Sequence, residues 1–299
     1  MKKLIVLAAA VALLVAAPAP AKTVTVDISQ LGFVPNAVSV QTGDSVTWTN
    51  KDTVNHQVVC TTCPFTSLVL TPGQTHTFTF NKTGKFATVD PLNKNKRGTV
   101  TVSAAPATLT LSARPTVANY GATAAVAGTL STAAAGQKVD ILAQPCGESA
   151  AKVVSTATTT TGGNFAYQAQ PTLGTSYQAR YKGTSATVTS PAAAVSVRPV
   201  VVLKRNAARR FTTQVIAAQS FVGKAVLFQR WIKVRHRWST VKTVFLGKRV
   251  AASAPLASST ASSVTFGALL RRGLNVRAVL PAGQAAPCYV SAKSPTIRS

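Results

Sequence analysis

Residues 43–98 read GDSVTWTNKDTVNHQVVCTTCPFTSLVLTPGQTHTFTFNKTGKFATVDPLNKNKRG. Val46 and Trp48 fall in phase in one run, and Phe78 and Phe80 in another, with a threonine between the members of each pair. A two-residue hydrophobic period belongs to a strand with one buried face. Pro72-Gly73 and Lys82-Thr83-Gly84 punctuate these runs as turn signals. Working outward, the same alternation predicts seven or eight short strands over residues 24–103. They are TVTVDI, SVQTG, SVTWTN, HQVVC, SLVL, HTFTF, KFATV and GTVTVS. Helical periodicity is nearly absent from the whole chain, and Val, Thr, Ala and Ser dominate. The fold class expected is all-β, with sandwiches in series.

The matching pieces within this region are Phe33-Val34-Pro35-Asn36 before a Val38/Val40 alternation, then Gly43-Asp44, Val46-Thr47-Trp48-Thr49-Asn50 and Asn55-His56. Leu70-Thr71-Pro72-Gly73, Phe78/Phe80 and Gly84-Lys85-Phe86 follow. In these, residues 23–103 resemble the cupredoxin family, the small blue-copper β-sandwiches related to plastocyanin. The resemblance implies copper as cofactor and electron transfer as activity. A type 1 copper site needs two imidazoles and a thiolate in a trigonal set, usually with a weak axial thioether. His56 stands where the first ligand belongs. The closing loop, Gly84 to Gly98, has the family's spacing but changed ligands: Asp90 for the thiolate, Asn93 for the second imidazole and Lys96 for the thioether. Three of the four ligand positions are thus replaced, and the resemblance implies a cupredoxin scaffold with a degenerate site.

The chain opens Met1-Lys2-Lys3, followed by an apolar run from Leu4 to Ala17 and then Ala19-Pro20-Ala21. That is the form of a secretory signal peptide cleaved near Ala21, and the run is short for a membrane span. No second long apolar run follows, so the expectation is a secreted or envelope protein with no transmembrane segment in the mature chain. The length of 299 residues suits more than one domain. The division expected is a signal peptide over 1–21, a cupredoxin-like domain over 22–105 and two further modules over 106–198 and 199–299. Ala104-Ala105-Pro106-Ala107 serves as the linker between the first two domains.

Residues 106–198 offer seven short alternating runs with regular turn signals, an immunoglobulin-like count. Residues 199–299 repeat that plan weakly. Gly136-Gln137-Lys138-Val139-Asp140-Ile141 parallels Gly223-Lys224-Ala225-Val226-Leu227-Phe228, and Ser176–Tyr181 parallels Asn275–Leu280. Both halves close on a Ser-Pro followed by a short run ending in arginine. Both halves resemble the tandem Ig-like modules of bacterial surface proteins, the second more diverged.

Charge is uneven. The net charge is +26 from 32 Lys/Arg and six Asp/Glu. Residues 22–105 hold seven basic groups against four acids, and residues 106–198 hold six against two. Residues 199–299 hold seventeen basic groups and no acid. Such asymmetry points to an anionic partner, an envelope polymer or a membrane surface, against the plainer reading of a solvated, self-repelling face. Arg230, Lys233, Arg235, Arg237 and Lys242 are interleaved with Phe228, Trp231, Trp238 and Phe245. This pattern can build a stacking platform for nucleic acid, or at strand spacing can turn aromatics inward and cations outward. Export argues against a specific nucleic-acid partner.

The four cysteines are Cys60, Cys63, Cys146 and Cys288. Export permits disulfides, and four cysteines allow three connectivities. The local choice pairs Cys60 with Cys63 and Cys146 with Cys288. Against it stands a metal reading, because His56-x3-Cys60-x2-Cys63 has ligand-like spacing, and Asp90 with His56 could form a weak N/O site. His76 alternates with Phe78 and Phe80, which places it on an apolar face or an edge. Six acids, none in the last segment, leave little for paired-carboxylate catalysis. The sequence has no G-x-S-x-G, Walker or dinucleotide motif. The expectation is a non-catalytic binding protein. The alternatives are a blue-copper electron carrier and a metal-binding protein that uses His56 with Cys60 and Cys63.

Overall fold

The computed structural model describes residues 21–63, 65–183, 186–250 and 259–299. Residues 1–20, which hold nearly all of the expected signal peptide, lie outside them. The chain forms two compact units, one ending at Pro106 and one beginning at Ala107.

The first unit carries β1 (Thr23–Ser29), β2 (Gly32–Val34), β3 (Ala37–Gln41), β4 (Ser45–Asn50), β5 (Val59–Cys60), β6 (Thr75–Thr79), β7 (Gly84–Asp90) and β8 (Asn93–Ser103). They make two four-stranded sheets, ordered β2-β1-β4-β6 and β3-β8-β7-β5. β1 runs parallel to β4 with Val26 opposite Trp48, and β3 runs parallel to β8 with Val38 opposite Val100. The alternation in β4 turns Val46, Trp48 and Asn50 inward. Val26, Ile28, Val46, Trp48, Phe80 and Val102 share the core between the sheets. Trp48 is 1% exposed; burying such a side chain contributes on the order of 2–3 kcal/mol. Phe78 and Phe80 meet edge to face at 5.0 Å, a favourable arrangement for two aromatic quadrupoles.

Two expected strands are mostly absent. HQVVC contributes only β5, and SLVL contributes only the isolated bridge of Leu70 to His56, with a second bridge from Val59 to Thr66 just before it. The reason is local. The Ser67 hydroxyl accepts from the Val58 N–H at 2.8 Å, where a ladder would use a carbonyl. Side-chain bonds of this kind compete with strand pairing.

The second unit contains two pairs of sheets in succession. The first pair uses β9 (Ser112–Arg114), β10 (Val117–Asn119), β11 (Ala124–Thr129), β12 (Lys138–Pro145), β13 (Lys152–Thr158), β14 (Asn164–Ala169), β15 (Thr175–Lys182), β16 (Thr187–Thr189) and β17 (Ala193–Arg198). The sheet order is β14-β11-β9 against β10-β17-β15-β12-β13, with β16 on β15. The second pair uses β18 (Val200–Ala207), β19 (Arg210–Ala217), β20 (Ala225–Ile232), β21 (Arg237–Phe245), β22 (Lys248–Val250), β23 (Thr260–Gly267), β24 (Asn275–Leu280), β25 (Ala292–Lys293) and β26 (Ile297–Arg298). Its sheets are ordered β18-β19-β23-β22 and β21-β20-β24-β25, with β26 on β24. The parallels read from the sequence fall on equivalent strands, because β12 pairs with β15 as β20 pairs with β24.

The Ser-Pro motifs of the two halves are the same device. Ser190 and Ser294 are both buried. The Ser190 hydroxyl accepts from Ala179 N–H at 2.9 Å and donates to Pro191 O at 2.9 Å. The Ser294 hydroxyl accepts from Ala278 N–H at 3.0 Å and donates to Pro295 O at 2.8 Å. Each hydroxyl supplies the acceptor that pairs a central-strand N–H beside the Ser-Pro step. The halves are also joined: Cys146 is disulfide-bonded to Cys288, and Tyr120 and Val197 belong to the same core as Phe211 and Phe228.

Candidate functional site

The polar cluster of the first unit is built at the end of β4. Asn50 lies on the inward phase and is completely buried. Its Nδ2 donates to Val54 O and Leu70 O, each at 2.8 Å, and its Oδ1 accepts from Asp52 N–H at 2.9 Å. Asn50 thus folds the 51–55 loop back over the sandwich mouth and carries Asp52 and His56 inward. β7 delivers Asp90 from the other sheet, and β8 delivers Lys96.

These four side chains form one buried network. His56 Nδ1 lies 2.5 Å from Asp90 Oδ2, and His56 Nε2 lies 3.1 Å from Asp52 Oδ2. Each ring nitrogen thus faces a carboxyl oxygen at hydrogen-bond distance, and which atom donates follows the tautomer. Lys96 Nζ is 3.9 Å from Asp52 Oδ2 and donates to Ser29 O and Gln30 O. Asp90 Oδ1 accepts from the N–H groups of Gln57 and Leu92 at 3.2 and 2.9 Å. The backbone N–H of Thr53 above all, and then the His56 ring and Lys96, hold the Asp52 carboxyl below the ordinary carboxylate range against the opposing effect of burial. Two carboxyl groups, an imidazole and a lysine side chain thus satisfy one another out of solvent, as buried ionisable groups must.

A copper ion does not fit these residues. Asp90 at the thiolate position uses its oxygens on His56, Gln57 and Leu92. The two nitrogens of His56 face opposite carboxylates, so neither lone pair is free. The Lys96 ammonium places a positive charge where a cation would sit. Asn93 is exposed at the start of β8 and takes no part. Cys60 and Cys63 are bonded to each other, so neither is a thiolate donor beside His56. Among the described residues, no group of three or more His, Cys, Asp or Glu is arranged to hold a metal.

Sequence reasoning singled out His56 and Asp90 but missed Asp52 and Asn50. The signal for them was present. An asparagine on the inward phase of a strand, followed two residues later by one of only six acids, marks a buried polar cluster. His76 packs against Phe65, with ring centroids 5.4 Å apart. Its buried Nε2 has no partner among the described residues, and burial pushes the imidazole below its ordinary value.

In the second unit, Arg230, Lys233, Arg235, Arg237 and Lys242 are all exposed. They lie on the β20–β21 hairpin, whose tip is a 3-10 turn over Lys233–Arg235. The interleaved aromatics divide. Phe228 is core, Phe245 is exposed, and Trp231 and Trp238 are half-buried cross-strand partners 5.5 Å apart. Arg277 lies over the Trp238 ring at 4.1 Å, within cation–π range.

The two sheets of the first unit, their parallel β1–β4 and β3–β8 pairings, and the site at the mouth define a cupredoxin-like domain with largely replaced copper ligands. Residues 3–102 match the family model described as a cupredoxin-like domain. Among solved structures the chain is similar to a purple cupredoxin from Nitrosopumilus maritimus, at 23% identity and a TM-score of 0.26, over 27% of this chain and 99% of that one. It is similar to a mutant amicyanin in the Cu(I) form, at 23% identity and a TM-score of 0.26, over 27% of this chain and 82% of that one. No helix among the described residues is long and apolar enough to cross a membrane.

Proposed function

We propose that this chain is an exported, non-catalytic binding protein that holds an anionic cell-envelope polymer through residues 199–299. One observation carries the reading: seventeen basic groups stand in that segment without a single acid. Such a segment cannot neutralise itself by internal ion pairs, and folding concentrates its repulsion. The five cations of the β20–β21 hairpin are exposed, and the only hydrogen bond any of these side chains makes among the described residues is from Lys242 to Gly267 O at 3.1 Å. The leader-like start of the sequence and two disulfides support export. The cupredoxin-like domain serves as a structural module, its metal pocket closed by its own ion network.

The test uses residues 22–299 with heparin and duplex DNA as probe polyanions. Binding is expected to be independent of DNA sequence. For about five phosphate contacts the log–log salt slope is about −4 to −5. Arg235→Glu with Arg237→Glu should weaken binding without lowering thermal stability, because both sit at an exposed tip. A salt-insensitive interaction, or elution from heparin at the lowest salt, would show the cations to be a solvated surface only.

A further inference from the structure

A different part of the second unit holds a more defined basic site. The β18–β19 turn and the β23–β24 loop enclose a cavity of about 360 Å³, lined by Arg205, Arg209, Arg271 and Arg272 with Phe211, Leu270 and Ser299. Folding draws these four cations together from segments some sixty residues apart in sequence. Among the described residues, none of the four guanidinium groups makes a hydrogen bond or an ion pair. Some other arginines of the chain are partnered, whereas, among the described residues, those of the β20–β21 hairpin are not. Arg180 is paired with Asp140, Arg198 bonds Ser291 O, Arg277 bonds Gln229, and Arg298 bonds Gly273 O.

The cavity walls are fixed. Arg209 has a left-handed φ of 60°, and its carbonyl accepts from Ala268 N–H at 2.9 Å, which ties one loop to the other. The Ser299 hydroxyl donates to Arg271 O at 2.7 Å and accepts from Leu274 N–H at 3.0 Å, and Arg298 Nη1 donates to Gly273 O at 2.6 Å. The arginine-bearing loops are thus held through their backbone groups, and none of these bonds uses the guanidinium of Arg205, Arg209, Arg271 or Arg272. A fixed scaffold lowers the ordering cost of binding.

We propose that this cavity takes linked phosphate groups of an anionic polymer. The proposal rests on the polyanion reading above and locates where its specific contacts are made. Planar guanidinium forks match phosphate oxygens in pairs. Four forks exceed what one phosphate needs, and the volume is in the range of sites for small molecules rather than single ions. A concave site suits a group projecting from a chain, whereas a flat membrane meets a convex surface.

The test titrates residues 22–299 with inorganic tripolyphosphate at near-physiological salt. One site per chain is expected. Arg205→Ala with Arg272→Ala should weaken it at least tenfold. Arg235→Ala with Arg237→Ala removes the same charge at the hairpin tip and should change it less than about threefold. All four substituted side chains are exposed, and circular dichroism checks that both variants keep the fold. Equal losses in the two variants would mean diffuse charge, and would overturn the proposal. Absence of tripolyphosphate binding alongside salt-dependent heparin binding would overturn it while leaving the proposed function standing. Absence of both would remove both. If the cavity variant loses binding to anionic phospholipid vesicles but keeps tripolyphosphate binding, the face meets a membrane and the proposal fails.

Discussion

His56 has both ring nitrogens on carboxyl groups, while His76 has a buried nitrogen with no partner among the described residues. His56 is held at both ring nitrogens inside a buried polar network, and removing Asp52 or Asp90 would leave a buried polar atom without its partner, a loss of about 1–3 kcal/mol. His76 sits against Phe65 and Trp48, and burial lowers its proton affinity in the folded state. The unfolded chain therefore takes up a proton near pH 6.5 that the folded chain refuses. Stability falls as the pH drops below that value. His76→Phe keeps the aromatic packing and removes the proton. The stability advantage of this variant over the parent should grow between pH 7.5 and 5.5. Amide exchange in β4, opposite residue 76, reports it for this unit alone; a pH-independent difference would assign the effect elsewhere.

At the scale of the element, the two halves of the second unit share a hydroxyl device that the sequence shows only as a recurring Ser-Pro. Removing the hydroxyl of Ser190 or Ser294 leaves a buried N–H, of Ala179 or Ala278, without its acceptor. Such an orphan costs about 1–3 kcal/mol. Ser190→Ala and Ser294→Ala should each lower the urea midpoint of the chain by a corresponding amount, whereas alanine at exposed Ser149, whose hydroxyl makes no hydrogen bond among the described residues, should change it little. Strand runs with clear alternation, such as SVTWTN and GTVTVS, were legible because burial on one face dictates the pattern. HQVVC and SLVL read as strands from composition. They are not full strands because Ser67 and Asn50 take up backbone partners, and single-residue hydrogen bonds leave no periodic trace. The replacement of the copper ligands was also legible, since Asp90 and Lys96 occupy motif positions. Where the freed space went was not, because Asp52 lies outside the motif and joins it only through the fold of the 51–55 loop.

Across the whole molecule, chemistry and charge are segregated. The first unit holds its own ions in a closed buried set, and the last hundred residues present cations with nothing internal to pair them. In the cupredoxin-like domain the Asp52–His56–Asp90–Lys96 network stands in place of the copper pocket. Adding excess Cu(II) to residues 22–299, desalting, and recording metal content and the visible spectrum should give no copper–thiolate absorption and no copper retained in proportion to the protein. One tightly held copper per chain, lost on His56→Ala or giving an intense visible band, would contradict that expectation.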